Sequence, residues 1–542
     1  MPGSRSSRAA IVAGAAVLFA ACLLTASRVP LFDPDEGYYP ATALESVTSG
    51  AGWDPQLDGA PRWDKPILSY ALIEAAFWLF GPSTAASRLP SALEAALLVL
   101  IVGLLVMRTC GTRAGMLSAL VVASSLGVQV FARAAHPEIA VVLSICTTEL
   151  LFCLWWLRDA SRWRVAVIAG AVAGYGILAK GPVAVVLPAL MIAASVPLLP
   201  PPRPSWRVAV QAMGVAAAIA AIVAVPWYAA MIVRHGWPFV AEALWHHNVV
   251  RYATAELGHR GSVFFFVLPT LVGLLPWTGF LVQGCRAAFR DPSRARQVVR
   301  TVMLTSAATA FLFYSASGSK LANYALVLIP PLGILIALHL DELSDSRGVR
   351  TLDELVAGLS VVASGIVLLL VPVAVAHGLN PRILLGGAPV RGAGAVALLW
   401  GVVGVPAAVL LVSGVVAASA RRRDIRVAAL GLGGIVAPLA LLFSANSLLD
   451  STYPWREFGE RMRADRAYLW VYSYRAPSLS FYAQRPVHHL GQPSDVDAVL
   501  ASRNDGWLVI DRSTWDQLPH HSTRTVIVDE KGRMLLVHVA QQ

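Results

Sequence analysis

The sequence predicts a mainly α fold: a polytopic membrane helical bundle of about thirteen transmembrane helices, followed by a small soluble α/β domain. Three observations predict it. The 542 residues are 56% hydrophobic and only 14% charged, with a mean hydropathy of +0.63, well above the composition of soluble domains. Apolar stretches of 18 or more residues recur along the chain, each long enough to cross a bilayer as a helix. From about residue 448 the composition changes to that of a soluble domain.

The apolar runs place thirteen spans at 9–27, 87–107, 114–131, 138–157, 163–179, 181–199, 207–231, 263–284, 299–315, 321–340, 354–376, 393–417 and 425–446. The first run follows Arg5 and Arg8 and is long for a signal peptide, and Thr25-Ala26-Ser27 is a poor cleavage site, so it reads as a retained helix. The apolar piece 67–80 carries Glu74 and ends at Gly81-Pro82. It is too short to cross comfortably and reads as a helix in the interface.

The net charge of +11 would suit a nucleic-acid partner, but the arginines sit in short loops between apolar runs. With the N-terminus inside, the loops at 108–113, 158–164, 200–207, 286–300, 341–350 and 421–426 are inner loops, nearly all arginine-rich. Orientation in the membrane explains the charge, and the partners expected are membrane lipids, with no nucleic acid. The outer side then receives the long loop 28–86, the turn at 133–138, Lys180-Gly181, the loop 232–262, the corner 315–320 and the C-terminus. The expected division is a membrane domain over 1–447, with 28–86 and 232–262 as its extracytoplasmic working loops, and an extracytoplasmic α/β domain over 448–542. In the latter, 454–465 reads as helix, and 467–474, 507–510, 525–528 and 534–539 as strands. The five cysteines (22, 110, 146, 153 and 285) lie in or beside apolar spans, and they form no disulfide framework or metal spacing.

Most polar residues that suggest chemistry fall on the outer side. Asp33, Asp35 and Glu36 lie within four residues just past the first span. Carboxylates at the edge of hydrocarbon usually serve a purpose, because burying them is costly. Asp35 and Glu36 are therefore candidate catalytic residues; the competing reading is that Asp33-Pro34-Asp35 caps a helix starting near Glu36. Lys65 stands between Asp64 and Pro66, and the proline restricts its backbone to extended geometry. A fixed lysine at a lipid surface suits a phosphate, although a snorkelling lysine paired with Asp64 would look the same.

Lys180 and Lys320 are further cations on that side. Arg133 and Glu138 occupy the short turn before the fourth span, as supporting groups or acceptor contacts, or as hydration and capping. The run Trp245 to Tyr252 is the densest polar cluster of the second large outer loop. Arg251 has the geometry of a phosphate ligand. Histidine beside a carboxylate suits a divalent cation, but adjacent histidines do not share a helix face, so only one of His246 and His247 is expected in a site.

A series of short motifs then occurs in order: Asp35-Glu36, Asp64-Lys65-Pro66, Arg88-Leu89-Pro90, Ala179-Lys180-Gly181-Pro182, Pro226-Trp227-Tyr228, the run His246 to Arg251, Leu275-Pro276-Trp277 and Ser319-Lys320-Leu321. As a series it resembles the GT-C glycosyltransferases of the lipid A aminoarabinose transferase and protein mannosyltransferase type, over roughly residues 10–345. The resemblance implies a GT-C membrane bundle in a bacterial inner membrane. It implies transfer of a sugar from a polyprenyl-phosphate carrier to an envelope lipid, glycan or protein on the outer side. It casts Asp35 as the acid essential for transfer and Lys65, Arg251 and Tyr324 as neighbours of the carrier phosphate. Asp64 and His246 match positions near a divalent metal. Two positions depart from the pattern: Glu138 stands where aspartate is common, and Ala322 replaces the proline of Lys-Leu-Pro.

A transporter or flippase is the alternative class, but transporters usually show inverted repeats and broken helices at the midplane, whereas this sequence shows no internal repeat and gathers its charge on one face. An envelope assembly protein would not need Asp35, Lys65 and Arg251 together.

Overall fold

The computed structural model describes residues 5–250, 254, 261–288, 293–343, 352–377, 393–452, 454–465, 467–502, 504–518, 525–531 and 534–540. Among them, ten helices are long and apolar enough to cross a membrane, and a bent pair makes an eleventh crossing if counted as one span. This is a multi-span helical membrane protein. The ten coincide with ten of the thirteen expected spans.

The other three expected spans are not single straight helices. The stretch 114–131 divides at Ser125 into Thr112–Ser124 and Leu126–Phe131. The stretch 263–284 is bent by 117° between Val267–Gly273 and Thr278–Ala287. The two breaks meet: Leu126 N donates to Leu275 O at 2.9 Å, and Trp277 Nε1 donates to Ser124 Oγ at 2.9 Å. Backbone groups freed inside hydrocarbon need such partners, and here the carbonyl of Leu275 serves the amide of Leu126. The third, 181–199, is the 13-residue helix Val183–Ser195 followed by a 3₁₀ turn.

The piece 67–80 is a helix, Leu68–Phe80, whose C-terminal Trp78, Leu79 and Phe80 are exposed. Ahead of it, the loop after the first helix holds Tyr38–Ser49 and a two-stranded antiparallel ribbon, β1 (Gln56–Leu57) and β2 (Ala60–Pro61).

The C-terminal part is α/β. Its strands are β3 (Tyr468–Tyr472), β4 (His488–Leu490), β5 (Gly506–Asp511), β6 (Thr525–Lys531) and β7 (Met534–Val539). They form one sheet in the order β4-β3-β5-β7-β6. β3 pairs in parallel with β4 and β5, whereas β7 runs antiparallel to β5 and β6. Four of the strands lie where the sequence placed them; β4, three residues long, has too short a run to announce itself.

One face of the sheet closes on its own helix Pro493–Ala501. The other shares a core with the loop after the first span: Leu31, Tyr39, Leu44, Tyr70 and Phe77 pack with Trp455, Phe458, Phe481 and Leu536. Polar contacts fix this seam. Tyr482 Oη accepts from Leu31 N at 2.9 Å and faces Thr84 Oγ1 at 3.3 Å. Asp58 accepts from Ser480 Oγ and Val487 N, both at 2.9 Å. Asp33 accepts from Ser478 N at 3.0 Å and from the Ser478 hydroxyl, and its burial pushes the carboxyl up to about 7 despite those bonds.

Beneath the seam lies an ion pair between side chains that are each 4% exposed. Arg88 donates through Nε to Glu36 Oε1 at 2.6 Å and through Nη2 to Glu36 Oε2 at 2.8 Å. Its remaining bonds reach the carbonyls of Ala26, Val29 and Pro30. Arg88→Ala would strand a buried carboxylate, which typically costs about 3–5 kcal/mol. The expected result is a marked fall in melting temperature in detergent, recovered in part by adding Glu36→Gln; an unchanged melt for Arg88→Ala would show the pair to be dispensable.

Candidate functional site

The candidate site is a cavity of about 330 Å³ among the described residues, at the ends of several spans. Lys65 and Asp64 reach it from the first long loop. Lys180 comes from the end of the helix Arg162–Lys180, Trp227 and Tyr228 from the proline-containing helix Trp206–His235, His247 and Asn248 from the π-helix Val240–Val250, and Tyr324 from a 3₁₀ turn. Local sequence explains two of these placements. Gly181, at φ +84°, lets the chain reverse directly after Lys180, and a Cβ there would meet Asn248 Oδ1 at 3.0 Å. Pro66 follows Lys65, and the helix Leu68–Phe80 begins just beyond.

Asp64 organises the wall on one side. It pairs with Arg62 at 3.0 Å and with Lys65 Nζ at 3.6 Å, and accepts from Tyr70 Oη at 3.3 Å. Burial opposes its charge, but Lys65, Arg62 and His247 outweigh it and hold the carboxyl down at about 2. One carboxylate thus serves two cations, leaving the trio with net positive charge. Arg62 also lies over the Tyr38 ring at 3.8 Å, and Tyr39 stacks on Tyr70 at 5.6 Å.

Across the cavity Lys180 pairs with Glu138 and sits 4.6 Å from the centroid of the Tyr324 ring. Glu138, only 1% exposed, also accepts from Asn323 Nδ2 at 2.7 Å. His136 lies between the two walls, edge-on to Tyr39 at 5.2 Å. Burial is the main force lowering its pKa to about 4; the positive fields of Lys180 and Lys65 add to it, against Glu138 and Asp35. All four charges therefore converge on one imidazole.

The structure brings together Lys65, Asp64, Lys180, Glu138 and Tyr324. Asp35 is exposed, outside the lining of this cavity but close enough to act on His136. The helix after it starts at Tyr38 with Gly37 as its N-cap and no side-chain capping bond, so Asp35 is not a helix cap.

Other expectations need correction. Glu36 is no candidate for proton transfer: both oxygens are engaged by Arg88, and they also accept from Ala135 N at 2.9 Å and Phe32 N at 3.0 Å. Lys320 is buried and donates to the carbonyls of Ser315 and Ser317 at 2.8 and 2.7 Å, fixing the corner rather than lining the cavity. Arg133 points into a different cavity. Arg251 lies outside the described residues. The histidines also differ from expectation. In the π-helix, His247 Nε2 lies 3.0 Å and His246 Nδ1 3.7 Å from Glu242 Oε1, so both approach one carboxylate. His247, rather than His246, lines the cavity.

Sequence reasoning missed Tyr39, Tyr70, Arg62 and Asn323 as parts of the site. Asn323 stood between Ala322 and Tyr324, both already singled out; Tyr39 followed Glu36 closely, and Arg62 and Tyr70 carried no signal beyond proximity to Asp64. As for a metal, Glu242, His246 and His247 offer one oxygen and two nitrogens, all within 4.8 Å of one another. Two imidazoles and a carboxylate are a donor set suited to zinc.

The class the structure defines is a many-spanned membrane protein with lysines in a cavity at the span ends and a C-terminal α/β unit. Comparison with known proteins finds similarity to membrane glycosyltransferases. Residues 64–229 match the family model described as dolichyl-phosphate-mannose-protein mannosyltransferase. An undecaprenyl phosphate-alpha-4-amino-4-deoxy-L-arabinose arabinosyl transferase of Sodalis glossinidius is 30% identical over 332 residues, 60% of this chain and 57% of that protein. The Edwardsiella ictaluri enzyme of that name is 27% identical over 63% of this chain and 62% of its own length. The matched stretch thus spans about three fifths of these curated relatives.

The fold extends further than the sequence identity. The crystal structure of ArnT from Cupriavidus metallidurans bound to undecaprenyl phosphate has a TM-score of 0.80 over 98% of this chain and 99% of that one, at 21% identity. An archaeal oligosaccharyltransferase from Archaeoglobus fulgidus has a TM-score of 0.55 over 94% and 70%, at 12% identity.

The His136 environment gives a pH test. A histidine depressed from 6.5 to about 4 leaves stability intact above pH 6.5 and removes it as pH falls toward 4, by up to about 1.4 kcal/mol per pH unit. His136→Phe keeps the ring contacts with Tyr39 and Phe131 but does not titrate. The melting temperature of the wild type should therefore drop more between pH 7 and 5 than that of the variant; equal drops would refute this account of His136.

Proposed function

We propose that this protein transfers a sugar from a polyprenyl-phosphate carrier to an envelope acceptor, a lipid A-like lipid in the first instance, on the extracytoplasmic side of a bacterial inner membrane. The observation that carries the reading is the placement of Lys65 and Lys180 in one cavity whose remaining lining is mostly aromatic and apolar, with Asp64, His247, Asn248 and Ser317 as its other polar side chains. An anionic head on a hydrocarbon tail is the ligand such a cavity fits. The arginine-rich loops support the outward orientation, with 1–447 as the membrane domain and the α/β part outside as well.

Breaking a sugar–phosphate bond builds positive charge at the sugar carbon and negative charge on the leaving phosphate. Lys65, held by Asp64 and the Pro66 backbone, neutralises that phosphate from one wall, and Lys180 with Tyr324 does so from the other. Glu138 and Asn323 fix Lys180 in place. Arg251, three residues beyond Asn248 in sequence, is assigned to the same phosphate. Asp35, exposed and engaged in no capping bond, takes the acceptor's proton as its oxygen attacks. One displacement inverts the anomeric carbon.

Asp35→Asn removes the base while keeping shape. Transfer of radiolabelled sugar from carrier to a lipid extract should fall by at least about 10²-fold, within the range of about 10²–10⁴ for a positioned base. Lys65→Ala should instead weaken carrier use by about 1.5–3 kcal/mol. Near-normal transfer by a well-folded Asp35→Asn would remove the base from this mechanism.

Glu242 and His247, joined by His246, would hold a divalent ion, and Asp64 faces the same imidazole. When bound, that ion supplies Lewis-acid stabilisation of phosphate charge. Elemental analysis of the purified chain should find one zinc equivalent, lost in Glu242→Ala and His247→Ala. Zinc retained at full stoichiometry by both variants would exclude this site.

A further inference from the structure

Phe32 and Glu36, which flank Asp35 in sequence, line a second cavity, of about 520 Å³. That volume is within the range of about 300–1,000 Å³ typical of small-molecule sites. Its walls come from the first helix, the broken span at 126–134 and the last three helices, Leu352–Ala376, Ala393–Ser419 and Arg423–Thr452. Val361, Leu368, Pro406, Ala437 and Leu441 make most of it hydrocarbon. Its polar side chains are Thr25, Gln129, Arg133, the Glu36–Arg88 pair and Ser364, whose hydroxyl turns back to Ser360 O at 2.8 Å.

Arg88 is fully engaged there, as described. Arg133 is not. Its side chain is buried, at 7% exposure; Nη1 donates to the Gln129 carbonyl at 2.8 Å and side-chain oxygen at 2.6 Å, and Nε to Thr25 Oγ1 at 3.3 Å. Nη2 has no hydrogen-bond partner among the described residues. Glu36, the carboxylate lining the same cavity, is committed to Arg88. A buried guanidinium with an unmet donor and no counter-charge among the described residues is costly, and burial pulls its pKa down accordingly. The missing partner is an anion that brings its own hydrocarbon.

We infer that this cavity is a second lipid site, separate from the Lys65–Lys180 cavity, which takes an anionic phospholipid. The phosphate pairs with the Arg133 guanidinium, which Gln129 and Thr25 hold, and an acyl chain lies against 361–371 and 437–442. A phosphate oxygen suits guanidinium geometry. A free phosphate would leave the apolar walls empty, and a neutral lipid would leave Arg133 unpaired. Because Glu36 and Arg88 form the wall between this cavity and the turn bearing Asp35, the bound lipid buttresses that turn.

The test uses the full chain in detergent with photoreactive phosphatidylglycerol and a phosphatidylcholine probe of identical tail. Mass spectrometry should map crosslinks to 361–371 and 433–442, with at least fivefold more labelling by the anionic probe. Ser364→Phe, which fills the cavity from the helix Leu352–Ala376, should abolish it, and Arg133→Gln should reduce it about fivefold or more. Excess inorganic phosphate should not compete. Equal labelling by the two probes, undiminished labelling of folded Arg133→Gln, or displacement by inorganic phosphate would each overturn the proposal. If Arg133→Gln does not fold, the probe comparison and Ser364→Phe decide it.

Discussion

The Arg88–Glu36 pair is the constraint on which the rest of the outer face depends. Arg88 sits near the start of one span and bonds to three carbonyls at the end of another. Glu36 bonds to the amide of Ala135, just ahead of a third. Two side chains thus tie together the exits of three helices and the loop that follows the first. A buried ion pair adds little net stability over a well-packed apolar substitute. What it supplies here is position: the turn containing Asp35 is held between the bundle and the α/β unit.

That position matters because the α/β unit shares a core with the loop instead of hanging from a linker. Tyr39 belongs to the shared core and stacks on Tyr70, which bonds Asp64, which holds Lys65. The geometry of the phosphate-facing lysine is therefore set by packing that begins in the C-terminal sheet. On the far wall, Glu138 plays the part for Lys180 that Asp64 plays for Lys65. Each cation is oriented by a carboxylate that also accepts from a neutral donor, Tyr70 on one side and Asn323 on the other.

The two broken spans show a related economy. A chain can interrupt a helix within a membrane only where other protein groups take over its backbone bonds. Leu275 does this by accepting from Leu126 N, and Trp277 seals the junction, wholly buried and donating to Ser124 Oγ. The second cavity is lined by Leu126, Leu275 and Pro276 from this junction, so the break makes room as well as a joint.

The sequence by itself determined the membrane bundle, ten spans to within a few residues, and the α/β character of the tail. Apolar length and strand patterning are local properties, and each needs no knowledge of its neighbours. It also picked out Lys65, Asp64, Lys180 and Glu138, because charge beside a span is unusual enough to be noticed, and Tyr324 through the motif series. Only the tertiary structure decided what those groups face. Asp35 and Glu36 are adjacent in the chain with the same chemistry, yet one is exposed and the other is sealed by an arginine 52 residues away. Lys320 spends its charge on two carbonyls, which no composition rule could foresee. His246 and His247 approach one carboxylate because a π-helix, rather than an α-helix, carries them. Partners distant in sequence fix the protonation, exposure and direction of a side chain, and they exist only once the helices have packed.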